Sequence, residues 1–395
     1  MSSNRRIVFI TATLGLLTAF GPFITDFYLP VMPEMVEYFK TSPALVSMSL
    51  ATGMIGLAAG QVFIGPLTDK YGRRHILLGS MLLFVLASLL CIFSRDIFMF
   101  NFARFFQGIA GAGGIVISKS MATDMYSGKE LAHFMGILAA VNGVAPVSAP
   151  FIGGVMSGLT SWRGIFALLT VIGLALLVCS ALLKETLLPE NRIRKNIFSV
   201  YANLFRVFRN PTFTLCTLSQ VVCHFALFGY ISASPFILQQ VYGLTPILFG
   251  ACFAINACAL ASGSVFGAKI KRTSTSLRAG SFVLFGATLC QIAILSLHLP
   301  LPVVMLFYIF TLFGFGLTQP GLAAVALDSE RQNAGAASAI YGASGFVAGA
   351  FISPVVTIGR IELTSSVVMF VGAVLAVALI LPLSRRLDRV PSLAS

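Results

Sequence analysis

Apolar runs of about twenty residues recur along the whole chain, each closed by a short polar stretch, and a helix of that length crosses roughly 30 Å of hydrocarbon. The pattern predicts twelve spans, at 7–29, 45–68, 76–94, 98–123, 132–158 and 163–184, then at 212–238, 246–268, 279–298, 301–327, 334–358 and 364–384. The polar stretch between them sets six spans on each side. The expected organisation is an all-α membrane protein with an N-terminal unit over 1–190, a linker over 191–211 and a C-terminal unit over 212–395.

Within the linker, Ile197, Val200, Tyr201, Leu204, Phe205 and Phe208 recur at helical spacing, and Lys195, Arg206 and Arg209 suit lipid headgroups. An amphipathic helix lying in the membrane interface is expected there. The starts of two spans carry local signals as well. Ser42-Pro43 reads as an N-cap followed by proline at the first helical position, and Thr245-Pro246 repeats the arrangement in the second half. Pro30 and Pro33 are expected to end the first span at the outer surface, with Glu34, Glu37 and Lys40 in a solvated connection.

Composition agrees, at 57% hydrophobic and 10% charged residues. The net charge of +13 is explained by orientation. With both termini inside, twenty of the Lys and Arg side chains fall in inner segments and only Lys40, Arg95, Arg163 and Arg360 in outer loops, as the positive-inside rule requires. The cations are dispersed and lack the interleaved aromatics of a nucleic-acid surface, so no nucleic-acid partner is expected. The partner the pattern demands is the lipid bilayer.

The seven cysteines lie in apolar spans without metal-ligand spacing and read as small buried hydrophobes. No metal site is expected. The four histidines form no His-Glu-x-x-His arrangement, and no phosphate-binding Gly-x-x-x-x-Gly-Lys-Ser/Thr loop occurs, so neither an intramembrane metalloenzyme nor a nucleotide-driven pump is supported.

Against this apolar background, ionisable and polar residues inside spans mark candidate chemistry. Asp26, in Asp26-Phe27-Tyr28-Leu29-Pro30, is the candidate proton site. Arg104, in the fourth span, lies at a similar depth: at 1.5 Å per residue the two are about 5 and 9 Å below one boundary, so they are expected to communicate directly or through water. Snorkelling to outer headgroups is the other reading of Arg104. Gln220 and His224 share a helix face; His224 is open to two readings, a second proton site or a neutral hydrogen-bonding imidazole. Tyr28, Gln107, Asn142, Gln220, Tyr230, Asn256 and Gln319 are the candidate substrate contacts. Lys119 and Asp124 read as interfacial. Gly53, Gly56 and Gly60 predict a close-packing helix face.

Gly65-Pro66-Leu67-Thr68-Asp69-Lys70-Tyr71-Gly72-Arg73-Arg74 resembles the signature loop of the major facilitator superfamily. Arg104-Phe105-Phe106-Gln107-Gly108 is similar to the fourth-span motif of that superfamily's drug/proton antiporters. Asn142-Gly143-Val144-Ala145-Pro146 with Pro150-Phe151-Ile152-Gly153-Gly154 resembles their fifth span. The first-span motif, Tyr230 to Phe236 and Ala336 to Ile340 narrow the likeness to the bicyclomycin- and chloramphenicol-resistance branch.

The resemblance implies two six-helix bundles that alternate around a midplane cavity in a bacterial cytoplasmic membrane. It implies export of a small hydrophobic, drug-like solute by a monomer with protons as the coupling ion and no cofactor. Proton coupling would fall to Asp26 and Arg104. A conformational latch would comprise Gly65, Asp69, Gly72, Arg73 and Arg74, with Asp124 joining, and an antiporter helix motif Gly143, Pro146, Pro150, Gly153 and Gly154. The loop Gly267 to Arg272 lacks the matching Asp and Gly-Arg-Arg, so no second latch is implied. A proton-coupled importer of a small metabolite, or a narrow-substrate exporter, is the alternative.

Overall fold

The structure, a computed structural model, describes residues 3–192, 201 and 204–389. All regular structure among them is helical. The first span is broken. Helix α1 (Ser3–Thr18) and α2 (Phe20–Asp26) precede a 3-10 turn (Leu29–Val31) and α3 (Met32–Tyr38), with a bend of 41° at the break after Thr18. Pro22 explains that break, because it offers no N–H to the Thr18 carbonyl four residues earlier and its ring crowds that carbonyl.

The first span therefore runs past its expected end. Pro33 does not terminate the helix but opens α3 in its first turn, where a missing N–H costs nothing. Glu34 and Glu37 are exposed, as expected, but they belong to α3. Glu34 also accepts a hydrogen bond from the Trp162 N–H at 3.3 Å, at the start of a later span.

The remaining helices are α4 (Pro43–Tyr71), α5 (Arg73–Ile92), α6 (Ile97–Met125), α7 (Gly128–Ser157), α8 (Trp162–Leu182), α9 (Pro211–Phe236), α10 (Pro246–Lys269), α11 (Thr273–Ser296), α12 (Leu301–Ser329), α13 (Ala334–Val355) and α14 (Ile361–Arg389). Counting the bent first segment once, eleven spans are apolar enough to cross a membrane on composition. The twelfth is α6, 29 residues long. It carries Asn101, Arg104, Gln107 and Lys119, and most of its polar side chains are hidden against α1, α4 and α5. The N-caps read from the sequence are present: the Leu45 N–H donates to Ser42 Oγ and the Leu248 N–H to Thr245 Oγ1, both at 3.3 Å.

The twelve spans form two six-helix bundles. In the first, α4 and α6 meet backbone to backbone, since a β-carbon on Gly56 would fall 2.1 Å from the Phe105 carbonyl oxygen and one on Gly108 would fall 2.1 Å from that of Gly53. The second bundle repeats the seam between α10 and α12, where Gly263 and Gly267 lie against the Phe313 and Leu317 backbone. In lipid, such close approach supplies the packing that water would otherwise drive.

The bundles touch through α4 with α13 and through α7 with α10. Met54 packs on Gly349, Gln61 on Gly342, and Gly154 on Pro246. A hydrogen bond of 3.0 Å from Gln239 Nε2 to the Pro30 carbonyl adds to these. Of the linker helix expected over Ile197 to Phe208, residues 197–200, 202 and 203 lie outside the described residues. In the described part, the Tyr201 hydroxyl donates to the Phe63 carbonyl at 3.0 Å, and Phe205–Arg209 is a 3-10 turn.

Of the cysteines expected to be buried, Cys258 and Cys290 are exposed on the outer surface of the bundle. In a membrane that surface faces apolar tails, so their placement carries little cost.

Candidate functional site

A cavity of about 1630 Å³ runs between the bundles. Its closed end is walled by Asp26, Tyr230, Ile231, Phe253 and Leu312. Its mouth, at the face carrying the α4–α5 loop and both ends of the described chain, is lined by Asp69, Arg192, Gln332 and Asn333. Contacts between the bundles seal the opposite end, where Gly154 abuts the Pro246 carbonyl and Gly250 abuts Pro150.

Asp26 is the last residue of α2, only 4% exposed. It lines the cavity, and its Oδ1 has no hydrogen-bond partner among the described residues. Arg104 does not meet it. Its guanidinium is fully buried on the other side of α2, where Nη2 donates to the Ile24 carbonyl at 2.5 Å and Nη1 to Gln107 Oε1. The ring of Tyr28 lies 4.5 Å from its central carbon, a cation–π contact worth about 0.5–2 kcal/mol.

Arg104 and Asp26 make no direct contact, and the snorkelling reading gives way to a third arrangement. The last carbonyls of a helix lack intrahelical donors and carry partial negative charge, and Arg104 caps one of those of α2, at Ile24.

Tyr28 and Gln107, expected to touch substrate, belong to this buried cluster. The Tyr28 hydroxyl pairs with Ser49 Oγ at 2.8 Å and Gln107 Nε2 donates to Ser88 Oγ at 2.8 Å. Asn256 is likewise turned from the cavity and donates to the Tyr230 hydroxyl at 2.9 Å. Gln220 donates to the Tyr341 carbonyl at 2.9 Å, and Gln319 bonds its neighbour Thr318 at 3.3 Å. A polar residue inside a span satisfies its donors with a neighbouring helix, or as Gln319 does with its own, as readily as with a ligand, and Gln107, Gln220, Asn256, Gln319 and Tyr28 are absent from the wall. Asn142 and Tyr230 do line it.

His224 lines the cavity, with Nδ1 at 2.8 Å from the Gln220 carbonyl and Phe315 and Phe228 around the ring at 5.0 and 5.6 Å. No carboxylate pairs with it among the described residues. This setting matches a neutral imidazole that donates from Nδ1.

At the cavity mouth, Arg73 draws three elements together. It pairs with Asp69, with Asp124 through Nε at 3.0 Å, and with Thr68 Oγ1 at 2.8 Å. Gly72 makes the turn with a φ of +98°, a backbone that favours glycine. All of these partners lie in the first bundle, so the cluster does not bridge the bundles in this open state. Gly65 faces the cavity, while Arg74 reaches the Ala181 carbonyl at 2.8 Å.

Of the fifth-span motif, Pro146 lines the cavity, Pro150 and Gly154 form the seal, and Gly153 packs on the Phe27 carbonyl within the first bundle. Gly143 is exposed, with no atom within 4 Å of where its β-carbon would be.

Two residues escaped the sequence reading. Glu185 accepts from the backbone N–H groups of Arg73 at 2.9 Å and Arg74 at 3.3 Å, and so caps α5 from across the bundle. Lys119, read as interfacial, opens onto the cavity wall. A signal for Lys119 was available, since Val116, Lys119, Ser120 and Ile115 occupy one helix face, but its direction needed the tertiary fold. In the second bundle, Arg278 pairs with Asp388 and donates to Ser384 Oγ at 2.9 Å, an ion pair outside the loop that lacked the latch motif.

The sequence profile described as Major Facilitator Superfamily matches residues 12–354. The chain is 34% identical over 370 residues to an uncharacterized MFS-type transporter, YdgK, of Bacillus subtilis, covering 92% of each. It is 26% identical over 387 residues to a bicyclomycin resistance protein homolog of Haemophilus influenzae, covering 96% of each.

Among solved structures, a D-xylose-proton symporter superposes with a TM-score of 0.75 at 13% identity, over 95% of this chain and 97% of that one. An inward-facing, occupied bacterial homolog of the lysosomal transporter Spinster superposes with a TM-score of 0.75 at 17% identity, over 98% of each. With the profile spanning most of the sequence and twelve spans arranged as two bundles around one cavity, the chain belongs to the Major Facilitator Superfamily and is a membrane transporter.

Proposed function

We propose that this transporter exports a small, largely apolar, drug-like solute in exchange for protons, with Asp26 as the proton carrier. The observation that carries the reading is the buried Asp26 carboxylate, one oxygen unpartnered, at the closed end of the cavity. A charge held there must be balanced at some point in the cycle, and a proton is the smallest ion able to do it. The resistance proteins among its relatives, including a chloramphenicol resistance protein of Pseudomonas aeruginosa that is 28% identical over 255 residues, support a drug-like cargo.

The excess of cations on the face carrying the cavity mouth argues that this face is cytoplasmic. The described state is then inward-open, in a bacterial inner membrane, with both termini inside. Arg104 enters the coupling by fixing the end of α2, and with it the position of Asp26. The Asp69–Arg73–Asp124 cluster acts as the latch when the mouth shuts. No cofactor is needed, and the protein acts as a monomer. One proton crossing about 150 mV supplies about 3.5 kcal/mol, which sustains a gradient of about 300-fold for a neutral solute.

The test uses everted vesicles with an acid interior and a panel of lipophilic antibiotics. Wild type is expected to lose part of the gradient when a substrate is added, and Asp26→Asn to lose none. Drug-evoked proton movement that survives Asp26→Asn sinks the assignment.

A further inference from the structure

Four charged side chains line the cavity: Asp26, Asp69, Lys119 and Arg192. The two at the mouth have ionic partners, Asp69 with Arg73 and Arg192 with Glu185 at 3.9 Å. The two inside have none. Among the described residues no carboxylate oxygen lies within 4.0 Å of Lys119 Nζ, and no cationic nitrogen within 4.0 Å of Asp26.

Their separation rules out a compensating pair. Ser118, beside Lys119 on α6, bonds Thr18 of the first span at 2.9 Å, and Asp26 lies eight residues beyond Thr18. That places the two charges on the order of 10 Å apart along the cavity.

An ammonium on a wall it shares with Ile115, Val116 and Leu138 is solvated only while the mouth admits water. When the bundles close around a solute, the water leaves and an uncompensated cation becomes costly. Asp26 is too far to serve, and Asp69 is held by Arg73. An anion carried by the cargo can supply the missing charge.

We propose that Lys119 anchors an anionic group of the transported solute, so the cavity selects amphiphilic anions or zwitterions over neutral or purely cationic analogues. Carboxylate, phosphate or sulfonate oxygens meet the ammonium, and the apolar body extends toward Tyr230, Phe253 and Leu312. This rests on the reading of the cavity as the transport site and names the class of cargo it takes.

The test is a binding measurement on the full chain in lipid nanodiscs, with three fluorescent probes that share a dansyl-aminohexyl body and end in a carboxylate, a carboxamide or a trimethylammonium. Wild type is expected to bind the carboxylate about tenfold or more tighter than the carboxamide, as a hydrogen bond to a charged group warrants. Lys119→Gln should abolish the preference, Lys119→Arg should keep it, and Lys119→Glu should turn it toward the trimethylammonium probe.

Equal binding of carboxylate and carboxamide by wild type, binding of none of the three, or a preference unchanged in Lys119→Gln overturns the proposal. The wild-type comparison stands even where a variant fails to fold. Drug-evoked proton movement reads Asp26 and probe binding reads Lys119, so failure of the coupling reading and failure of the Lys119 assignment are read separately.

Discussion

Arg104 donates from Nη2 to the carbonyl oxygen of Ile24 at 2.5 Å, two residues before Asp26, so the buried cation holds the backbone of the proposed proton carrier and not its carboxylate. Within that helix end, the arginine answers the Ile24 carbonyl while the aspartate keeps its side chain for the cavity.

Replacing Arg104 by lysine should fail, because a single ammonium cannot keep the planar fork shared by Ile24 and Gln107. Arg104→Lys is expected to lower stability by about 1.5–3 kcal/mol, the range for hydrogen bonds to charged groups, seen as a lower melting temperature in detergent. Proton-coupled transport should fall with it. Full coupling in the lysine variant would show that charge alone suffices.

The glycines of the first bundle separate by their surroundings. Gly108→Ala would drive a β-carbon to 2.1 Å from the Gly53 carbonyl oxygen, and overpacking of this kind costs typically about 1–3 kcal/mol. Gly143→Ala meets nothing within 4 Å and should fold as wild type does, although Gly143 belongs to the motif that suggested antiport. Yield of folded protein and thermal melting of the two variants decide between local packing and motif membership.

Glu185 is expected to matter through the N–H groups it accepts. Glu185→Ala leaves the first turn of α5 without its acceptor and should cost about 0.5–2 kcal/mol, as for other lost N-caps. Glu185→Gln keeps an oxygen and should cost less. Hydrogen exchange at the Arg73 and Arg74 amides should accelerate in the alanine variant first.

The bond from Gln239 to the Pro30 carbonyl joins the bundles at the sealed end. Gln239→Leu removes about 0.5–1.5 kcal/mol of it and should raise the population open at that end several-fold. A cysteine at cavity-lining Thr25 should then react faster with a membrane-impermeant maleimide supplied from the face opposite the termini. An unchanged rate would place the seal in apolar packing alone.

Much of the architecture could be read from linear signals. Span number follows from apolar length, and the starts of α4 and α10 follow from cap-proline pairs that act within four residues. The 41° break in the first span was legible in Pro22 and passed over, since the flanking residues stay apolar throughout. What the chain could not disclose was direction. Gln107, Gln220 and Asn256 are polar residues in spans, and only the neighbouring helix decides whether each is satisfied by protein or turned to the cavity. The same applies to Arg104, whose partner is a main-chain carbonyl 80 residues away, a group with no side-chain signature. Lys119 lies near a span end and so reads as interfacial, yet the cavity reaches down to it.

The contact of Gln61 with Gly342 has a mechanical consequence. A β-carbon on Gly342 would come within 2.3 Å of Gln61 Oε1, so the two bundles bear on each other there through a flexible side chain against bare backbone. Such a bearing behaves as a fulcrum: Met54 against Gly349 lies two helical turns along α13 on the sealed side, and the mouth lies on the other. Rotation about that point lifts one arm as it lowers the other, and a smooth glycine surface lets the pivot slide without unlocking a side chain. A bulkier residue at 342 would act as a wedge under the lever, holding the bundles apart at the pivot and uncoupling the movement of one gate from the other.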